Sequence, residues 1–283
     1  MIKVEDLRYT YQKNDEPTIK GLSFDIAEGE IFGFLGPSGA GKSTTQNILT
    51  KLLRNYKGHI SILNKELSSW NNNYYEHIGV GFELPNHYLK LTAKENLNFF
   101  STFYKRKVQK PLDMLAMVGL ENDADKKVSD FSKGMKMRLN FVRAFMHNPE
   151  IVFFDEPTTG LDPVNAKRIK DIILELKSQG KTIFITTHNM YDADRLCDRV
   201  AFIIDGEIKL IDQPKKLKLQ YGERKVRVEY TNGQAYVSEF ALDNLGENID
   251  FLNLIKSFRV DSIHTEEATL EDIFIKVTGH SLM

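Results

Sequence analysis

The chain has 283 residues, a formal net charge of -1 at pH 7 and a single cysteine, Cys197. This length fits one large α/β domain with a small appendage or two modest domains, and the near-neutral charge gives no reason to expect a nucleic-acid partner. No apolar run approaches the roughly 18 residues that span a bilayer, so we expect the chain itself not to cross a membrane. We expect the single cysteine to be a buried, inert thiol, which fits a reducing cytosol.

The first 35 residues predict an antiparallel β part followed by a buried strand. Alternating apolar and polar residues indicate strands at Ile2–Val4 and Leu22–Ile26, and the apolar run Ile31–Leu35 is typical of a buried strand. Tyr11 lies in the first loop. It is either a ring that stacks on an adenine or an ordinary aromatic residue at a strand end, and the sequence favours neither.

A phosphate-binding loop is predicted directly after the buried strand. It consists of Gly36, Pro37, Ser38, Gly39, Ala40, Gly41, Lys42, Ser43 and Thr44, and a segment with helical apolar spacing follows it. The glycines let backbone N–H groups surround a phosphate, and the next helix directs its unpaired N–H groups at the same anion. We expect Lys42 to reach the β- and γ-phosphates of a nucleotide and Ser43 to hold Mg²⁺.

A helical insertion is predicted at about residues 84–147, after a short strand that ends at Glu83. Thr92 with Glu95 three residues later predicts a capped helix whose apolar side extends to Tyr104.

Two further segments of this insertion are predicted to be helices. Pro111 opens the first and Gly119 closes it. The second follows Ser132, carries Met135 on its apolar side, and ends before Pro149.

Two later strands end in residues that carry chemistry. The run Ile151–Phe154 is apolar throughout, as expected for a central parallel strand that is buried on both faces, and Asp155 and Glu156 follow it. A second buried strand, Thr182–Thr186, ends beside His188. Because parallel sheets place ligands at the carboxyl ends of their strands, we expect these side chains near the phosphate-binding loop.

The main domain is expected at residues 1–220, where a hairpin with an Asp205-Gly206 turn closes it. Residues 221–283 predict a small α+β accessory domain. It starts with a hairpin around Asn232-Gly233 and continues with helices near 251–258 and 269–277, the second capped by Thr269. We find no catalytic or metal-ligand spacing in it.

The motifs that follow the phosphate-binding loop are weak when taken singly, but together with that loop and in this order they resemble the ATP-binding cassette (ABC) family over about residues 1–220. The resemblance implies an α/β fold, a P-loop NTPase core with a mostly parallel sheet. It implies that Asp155 and Ser43 share the Mg²⁺ of ATP, and that Glu156 is the general base for the attacking water. His188 would contact the γ-phosphate and orient that water.

The same resemblance implies a second ATP-binding subunit, which we expect to be another copy of this chain. Ser132 and Gly134 look like the signature loop, which meets the ATP held by a partner, and Asp162 would lie at that interface. Two copies arranged head to tail would enclose two ATP molecules. Closure of the dimer would then depend on ATP binding and opening on hydrolysis.

Two motifs depart from the family pattern. Glu83 stands where the family usually has Gln; it could take part in Mg²⁺ binding and catalysis, but adds negative charge near the γ-phosphate. The signature reads Phe131-Ser132-Lys133-Gly134-Met135 in place of Leu-Ser-Gly-Gly-Gln. With the C-terminal domain, these features look like the ATPases of bacterial drug, antibiotic and peptide exporters.

The resemblance therefore implies an ATP-hydrolysing subunit in the cytoplasm, bound to the inner face of the cell membrane through a separate transmembrane permease. Docking is expected in a groove near Glu83 and the helical insertion. The alternative is a soluble ABC-type ATPase that acts on ribosomes or DNA, although such relatives have two cassettes or long coiled-coil arms. A regulatory protein that binds ATP without hydrolysis is a third hypothesis, against which Glu156 and His188 both argue.

Overall fold

The structure is a computed structural model that describes residues 1–12, 15–222, 224–266 and 268–280. These residues form two compact units, one of residues Met1–Asp212 and a second that begins at Gln213. In the described part of the chain, no helix combines the length and the apolar character that a membrane crossing requires.

The first unit contains strands and helices in alternation. Its strands are β1 (Ile2–Tyr9), β2 (Ile19–Ile26), β3 (Ile31–Leu35), β4 (Lys57–Ile62), β5 (Lys65–Glu66), β6 (Ile78–Gly81), β7 (Ile151–Asp155), β8 (Thr182–Thr187), β9 (Arg199–Ile204) and β10 (Glu207–Asp212). Its helices are α1 (Lys42–Leu49), α2 (Tyr74–His77), α3 (Ala93–Ser101), α4 (Pro111–Met117), α5 (Lys133–Phe145), α6 (Pro163–Ser178) and α7 (Met190–Leu196).

The larger sheet of this unit has the strand order β10-β9-β3-β8-β7-β6, and only β10 pairs antiparallel. Strands β3 and β8 are buried along their whole length and β7 along all but its last residue, because their apolar runs pack on both faces. The carboxyl ends of these parallel strands meet at one edge of the sheet. That edge receives the segment after β3, Asp155 at the end of β7, and His188 just after β8.

The second sheet of the first unit is antiparallel, with the order β2-β1-β4-β5. Its apolar side chains share one core with the parallel sheet, in which Phe24 of β2 stacks on Phe32 and tilts against Phe34 of β3, both at 5.6 Å between ring centroids. The N-terminal antiparallel part expected from the alternating pattern is therefore confirmed.

The insertion forms the expected helices, with two differences of detail. Thr92 and Glu95 form the predicted capping box at the start of α3, but that helix ends at Ser101. Tyr104 lies beyond it and stacks on His147 with ring centroids 3.8 Å apart. In α5 the buried face contains Met137 while Met135, within the first turn, is half-buried, because the apolar stripe continues from Met137 to residues 141, 144 and 145.

Cys197 is buried beneath β3, as expected. A Cβ placed on Gly33 would lie 2.7 Å from its sulfur, so only glycine leaves room for the thiol there. Burial raises the pKa of this thiol well above its usual value, which makes it unreactive in the folded protein.

The second unit is a three-stranded antiparallel sheet with three helices. Its elements are β11 (Lys225–Asn232), β12 (Gln234–Ala241), β13 (Arg259–Glu266), α8 (Pro214–Tyr221), α9 (Ile249–Ser257) and α10 (Leu270–Thr278), and the strand order is β12-β11-β13. The hairpin turns at Gly233 with φ 73°, and Thr269 caps α10, both as predicted. Strand β13 was not predicted, because its side chains are mostly polar and exposed and its sequence carries little apolar alternation.

Candidate active site

A cleft of about 850 Å³ opens in the first unit, at the edge where the parallel strands end. It contains most of the residues that the sequence singled out. These are Tyr11, Ser38, Gly39, Gly41, Lys42, Ser43, Thr44, Glu83, Asp155, Glu156 and His188. Glu16, Thr18, Lys20 and Asp205 also line the cleft, and no motif marks them because only the tertiary fold brings them there.

The loop between β3 and α1 is shaped by close backbone approaches. A Cβ on Gly36 would lie 2.2 Å from the carbonyl oxygen of Ile203, and Gly41 has a left-handed φ of 106°, so both positions require glycine. The buried Ala40 accepts a hydrogen bond from the backbone N–H of Gly206 at 3.1 Å. These contacts hold the loop in one conformation against the β9–β10 hairpin.

Lys42 is a buried cation at the centre of this loop. Its Nζ donates to the carbonyl oxygens of Gly36 at 2.6 Å and Pro37 at 2.9 Å. Desolvation by burial lowers the pKa of Lys42, and the negative charges of Glu156, Asp155 and Glu83 act in the opposite direction. An anionic ligand would therefore stabilise the charged ammonium, which matches the role expected of this lysine.

The start of α1 provides further anion-binding groups. Its first helical hydrogen bond is the one from the N–H of Thr45 to Gly41, at 2.9 Å. The backbone N–H groups of residues 42–44 precede it and have no acceptor within the helix, so they form the positive end of the helix dipole.

Asp155 and Ser43 lie side by side in the cleft. The Ser43 hydroxyl donates to Oδ1 of Asp155 at 3.5 Å, and the Thr186 hydroxyl donates to the same oxygen. Burial raises the pKa of Asp155. The described residues contain no group of three His, Cys, Asp or Glu side chains that could hold a metal ion by themselves. One carboxylate and one hydroxyl fit a Mg²⁺ ion that takes its remaining ligands from phosphate oxygens and water.

Glu156 is buried and fixed by hydrogen bonds to both carboxylate oxygens. Oε2 accepts from the hydroxyls of Thr159 and Thr187, each at 3.0 Å, and Oε1 accepts from the backbone N–H of His188 at 3.0 Å. Nδ1 of His188 lies 2.7 Å from Oε1. Glu156 also has a left-handed φ of 49°, which is unusual for a residue other than glycine. The left-handed backbone and the hydrogen bonds to both oxygens together fix the direction of the Glu156 carboxylate.

The two threonines were not predicted as site residues. Thr159 lies in the turn after Glu156 and Thr187 at the end of β8, and no spacing rule connects either hydroxyl with the carboxylate.

Glu83 and Tyr11 lie at two other places on the cleft wall. Glu83 is exposed just beyond β6. The Tyr11 hydroxyl lies 3.1 Å from the hydroxyl of Thr44, and its ring meets that of Tyr9 edge to face at 5.0 Å. Tyr11 thus has the contacts of an ordinary strand-end aromatic while it also lines the cleft, so both interpretations of it stay open.

Ser132, Gly134 and Asp162 do not line the cleft of their own chain. Ser132 is the N-cap of α5 and accepts from the N–H of Met135 at 3.2 Å. A Cβ on Gly134 would meet only Leu161, at an ordinary 3.6 Å, so packing within one copy does not require a glycine there.

Asp162 has a structural role within its own chain. It is the N-cap of α6 and accepts from the backbone N–H of Asn165 at 3.0 Å and from the Asn165 side chain at 2.6 Å. The side-chain hydrogen bond from Asn165 is the main cause of its lowered pKa. Helix capping thus accounts for an aspartate here, whatever it does between copies.

Each of the two units contains a segment that matches a known protein family. The sequence pattern of the family described as ABC transporter matches residues 19–159. The pattern described as the fluoroquinolone efflux ABC transporter C-terminal domain matches residues 224–267.

Relatives match along the whole chain. A fluoroquinolones export ATP-binding protein of Mycobacterium tuberculosis is 50% identical over 284 residues, which cover 100% of this chain and 94% of the relative. The linearmycin resistance ATP-binding protein LnrL of Bacillus subtilis is 30% identical to this chain. The match covers 100% of this chain and 99% of LnrL.

Solved structures agree in fold. One of them is the dimeric ATP-binding cassette MJ0796 in a post-hydrolysis state bound to ADP and Pi. It matches this chain with a TM-score of 0.69 and 29% sequence identity, and the match covers 75% of this chain and 98% of the MJ0796 chain. The fold and the family expected from the motifs are therefore confirmed, and this chain belongs to the ABC transporter family as an ATP-binding, ATP-hydrolysing subunit that energises a membrane transporter.

Proposed function

We propose that two copies of this chain bind two molecules of ATP with Mg²⁺ between them and hydrolyse them to drive the export of drugs, with fluoroquinolone-type antibiotics as the first class to test. The observation that carries the ATPase part is the fixed Glu156 carboxylate next to the cleft residues Lys42 and Asp155. The drug class rests on the relatives named for fluoroquinolone export, which match both units of the chain.

Binding of ATP would start at the phosphate loop. The Lys42 ammonium would exchange its two carbonyl acceptors, on Gly36 and Pro37, for the β- and γ-phosphate oxygens. The N–H groups at the start of α1 would bind the same phosphates. Gly36, Pro37, Ser38, Gly39, Ala40, Gly41 and Thr44 are thus proposed to form the nucleotide-binding loop with Lys42 and Ser43.

Mg²⁺ would be held by Ser43 and Asp155, with Glu83 as a further candidate, and would neutralise charge on the β- and γ-phosphates. Because Asp155 already accepts from Thr186 and from Ser43, its carboxylate is oriented before any ion arrives. A raised pKa caused by burial also means that a cation would favour the charged form of Asp155.

Hydrolysis would use Glu156 as the general base for the attacking water. Four hydrogen-bond donors surround its two oxygens, so the carboxylate is held in one direction. His188, whose side chain is 53% exposed, would present the other side of its ring to the γ-phosphate and the water. Tyr11 remains a candidate to stack on the adenine.

The remaining site residues are proposed to act across a homodimer. Ser132 and Gly134 would meet the γ-phosphate of ATP on the partner copy, and Asp162 would lie at the same interface. Their positions outside their own cleft, and the dimeric form of the similar MJ0796 cassette, support this arrangement.

A separate transmembrane permease would dock near Glu83 on an exposed apolar surface, and the chain would thus lie on the inner face of the cell membrane. Leu84, Tyr88 and Phe103 are 75%, 49% and 64% exposed, and Phe99 joins Tyr88 and Phe103 through edge-to-face ring contacts. Apolar surface of this kind marks interaction sites on soluble domains.

The test is co-expression with the membrane-spanning chain encoded next to this protein in a drug-sensitive bacterium. We expect the two chains to copurify, the cells to tolerate more fluoroquinolone, and a Lys42→Ala variant to lose the tolerance while it still copurifies. Tolerance that is equal with the Lys42→Ala variant would refute ATP-driven export. Copurification with ATPase activity but without tolerance would refute the drug class alone.

A further inference from the structure

The loop that carries Glu83 is fastened to the insertion helices along its length. We call residues 82–88 the Glu83 loop. Asn140 of α5 donates to the carbonyl oxygen of Phe82 at 2.7 Å, and Arg143 of α5 donates to that of Asn86 at 2.5 Å. Both bonds hold the main chain of the loop, so they fix its path whatever side chains it carries.

Two further contacts complete the attachment. Nε2 of His87 donates to the carbonyl oxygen of Lys136 in α5 at 2.9 Å. Burial lowers the pKa of His87 to about 4, so the ring stays neutral near pH 7. Asn96 of α3 accepts from the N–H of Tyr88 at 2.9 Å and donates to its carbonyl oxygen at 3.0 Å.

Arg143 is the residue that joins the parts of this attachment. Besides its bond to Asn86, it donates to Oδ1 of Asn140 at 2.7 Å. The Nδ2 of Asn140 then points toward the carbonyl oxygen of Phe82, to which it donates. Its guanidinium also lies 4.3 Å from the centroid of the Phe100 ring of α3. One side chain therefore connects α3, α5 and the Glu83 loop.

Ser132 caps the N-terminus of the same helix α5, so the attachment links two sites that the nucleotide would contact. Glu83 lines the cleft of its own chain, and Ser132 lies outside that cleft at the head of α5. Hydrogen bonds and helical backbone therefore connect the Glu83 loop along α5 to Ser132 without a gap.

We propose that Arg143 is a positioning residue for ATP hydrolysis, because it ties the Glu83 loop to α5 and thereby couples nucleotide in one cleft to the position of Ser132 against the partner copy. This inference rests on the proposed function, in which Ser132 meets the ATP of a second subunit. Arg143 contacts no reacting atom in this scheme.

The test compares two substitutions of arginine on the same helix, in the full-length chain. Arg143→Met removes the attachment. Arg138→Met is the matched control, because Arg138 donates to the carbonyl oxygens of Val118 and Gly119, within the insertion and away from the Glu83 loop. Each variant is measured for binding of a fluorescent ATP analogue to the monomer, for kcat and KM of ATP hydrolysis, and for ATP-induced dimerisation in a Glu156→Gln background.

We expect Arg143→Met to bind the ATP analogue within about twofold of the parent, because the phosphate loop is untouched. Its kcat should fall by about tenfold or more with a much smaller change in KM, and its ATP-induced dimer should be lost. Arg138→Met should keep the kcat of the parent and its ATP-induced dimer. Arg143→Lys should recover part of the activity, because an ammonium keeps the charge over Phe100 but lacks the fork that reaches Asn86 and Asn140 together.

A second variant covers the case in which Arg143→Met does not fold. Asn140→Asp keeps an acceptor for Arg143 but has no N–H to donate to Phe82, and it should also lower kcat at unchanged affinity for the ATP analogue.

Equal kcat and equal dimerisation for Arg143→Met and Arg138→Met would overturn the inference and leave the proposed function standing. A Glu156→Gln parent that stays monomeric with ATP would instead refute the composite site, and this inference with it.

Discussion

Nδ1 of His188 lies 2.7 Å from Oε1 of Glu156, and the backbone N–H of the same histidine donates to the same oxygen at 3.0 Å. The residue that follows β8 is thus bonded twice to the residue that follows β7. Any shift between these two neighbouring strands would rotate the Glu156 carboxylate, so the parallel sheet itself sets the direction of the proposed general base.

Glu156→Gln replaces the carboxylate with an amide of nearly the same shape. The amide oxygen can keep the two bonds from His188, and the amide N–H groups can donate to the hydroxyls of Thr159 and Thr187, which rotate to accept. The fold and ATP binding should therefore survive, while loss of the base should reduce phosphate release by at least about a hundredfold. Size-exclusion chromatography with ATP and Mg²⁺ should show a stable dimer, and a monomer alone would contradict the composite site.

Lys42→Ala should abolish ATP hydrolysis. The substitution removes the cation that is proposed to bind phosphate and the two bonds that hold the carbonyl groups of Gly36 and Pro37, so both affinity and turnover should fall. Phosphate release should fall by about a hundredfold or more. Lys57→Ala, on the exposed face of β4, is the control and should behave as the parent. Unchanged hydrolysis by Lys42→Ala would rule out this cleft as the active site.

Glu83→Gln should leave ATP affinity near that of the parent and alter hydrolysis or its coupling to transport. The carboxylate lies on the cleft wall and contributes to the negative potential at Lys42, but it is not part of the phosphate loop. ATP binding, ATPase rate and drug transport are measured beside the exposed-site control Glu121→Gln. If hydrolysis and transport both match the parent, Glu83 has no special role.

Thr159→Val should slow turnover without weakening ATP binding. The Thr159 hydroxyl donates to Oε2 of Glu156 at 3.0 Å, and valine keeps the shape but loses this donor. A single hydrogen bond to a charged group predicts a decrease in kcat of about tenfold at similar KM. Thr102→Val, which removes a hydroxyl bond to Phe99 at the end of α3, is the control. A proportional rise in KM alone would argue against a role in orienting Glu156.

Acid should destabilise the first unit through its buried histidines. Burial lowers the pKa of His147 from 6.5 to about 4, so between these values the unfolded chain binds a proton that the folded one does not. The contribution to stability is complete above about pH 6.5 and is lost as the pH falls toward 4.

The experiment for this prediction is urea denaturation at several pH values. The slope of the unfolding free energy against pH should be smaller in His147→Gln than in the parent. Parallel curves for the parent and His147→Gln would show that His147 does not titrate on unfolding in this range.

The meeting of the β3–α1 loop with the residues after β7 and β8 at one edge of the sheet was predictable, because buried parallel strands leave uninterrupted apolar runs. The end of each run then locates a position at the ligand-binding edge, as Asp155 and His188 illustrate. Local sequence signals such as the capping boxes of Thr92 and Thr269 were also predictable from the sequence.

What the sequence did not reveal depends on contacts between distant residues. Thr187 reaches Glu156 across the sheet, and Arg143 reaches Asn86 from another element, without any periodicity that links the pairs. Tyr104 was placed on a helix because its spacing fits one, whereas its stacking on His147 is a tertiary contact. Strand β13 gains its pairing from β11 and not from an apolar pattern of its own.

The packing of Cys197 under Gly33 has a practical consequence for studies of the assembly. Since the native thiol is buried and no other cysteine occurs in the chain, a cysteine introduced at an exposed site away from the proposed nucleotide contacts would be the sole target for a maleimide dye. Fluorescent or spin-labelled reporters of subunit approach can therefore be attached to the otherwise natural sequence.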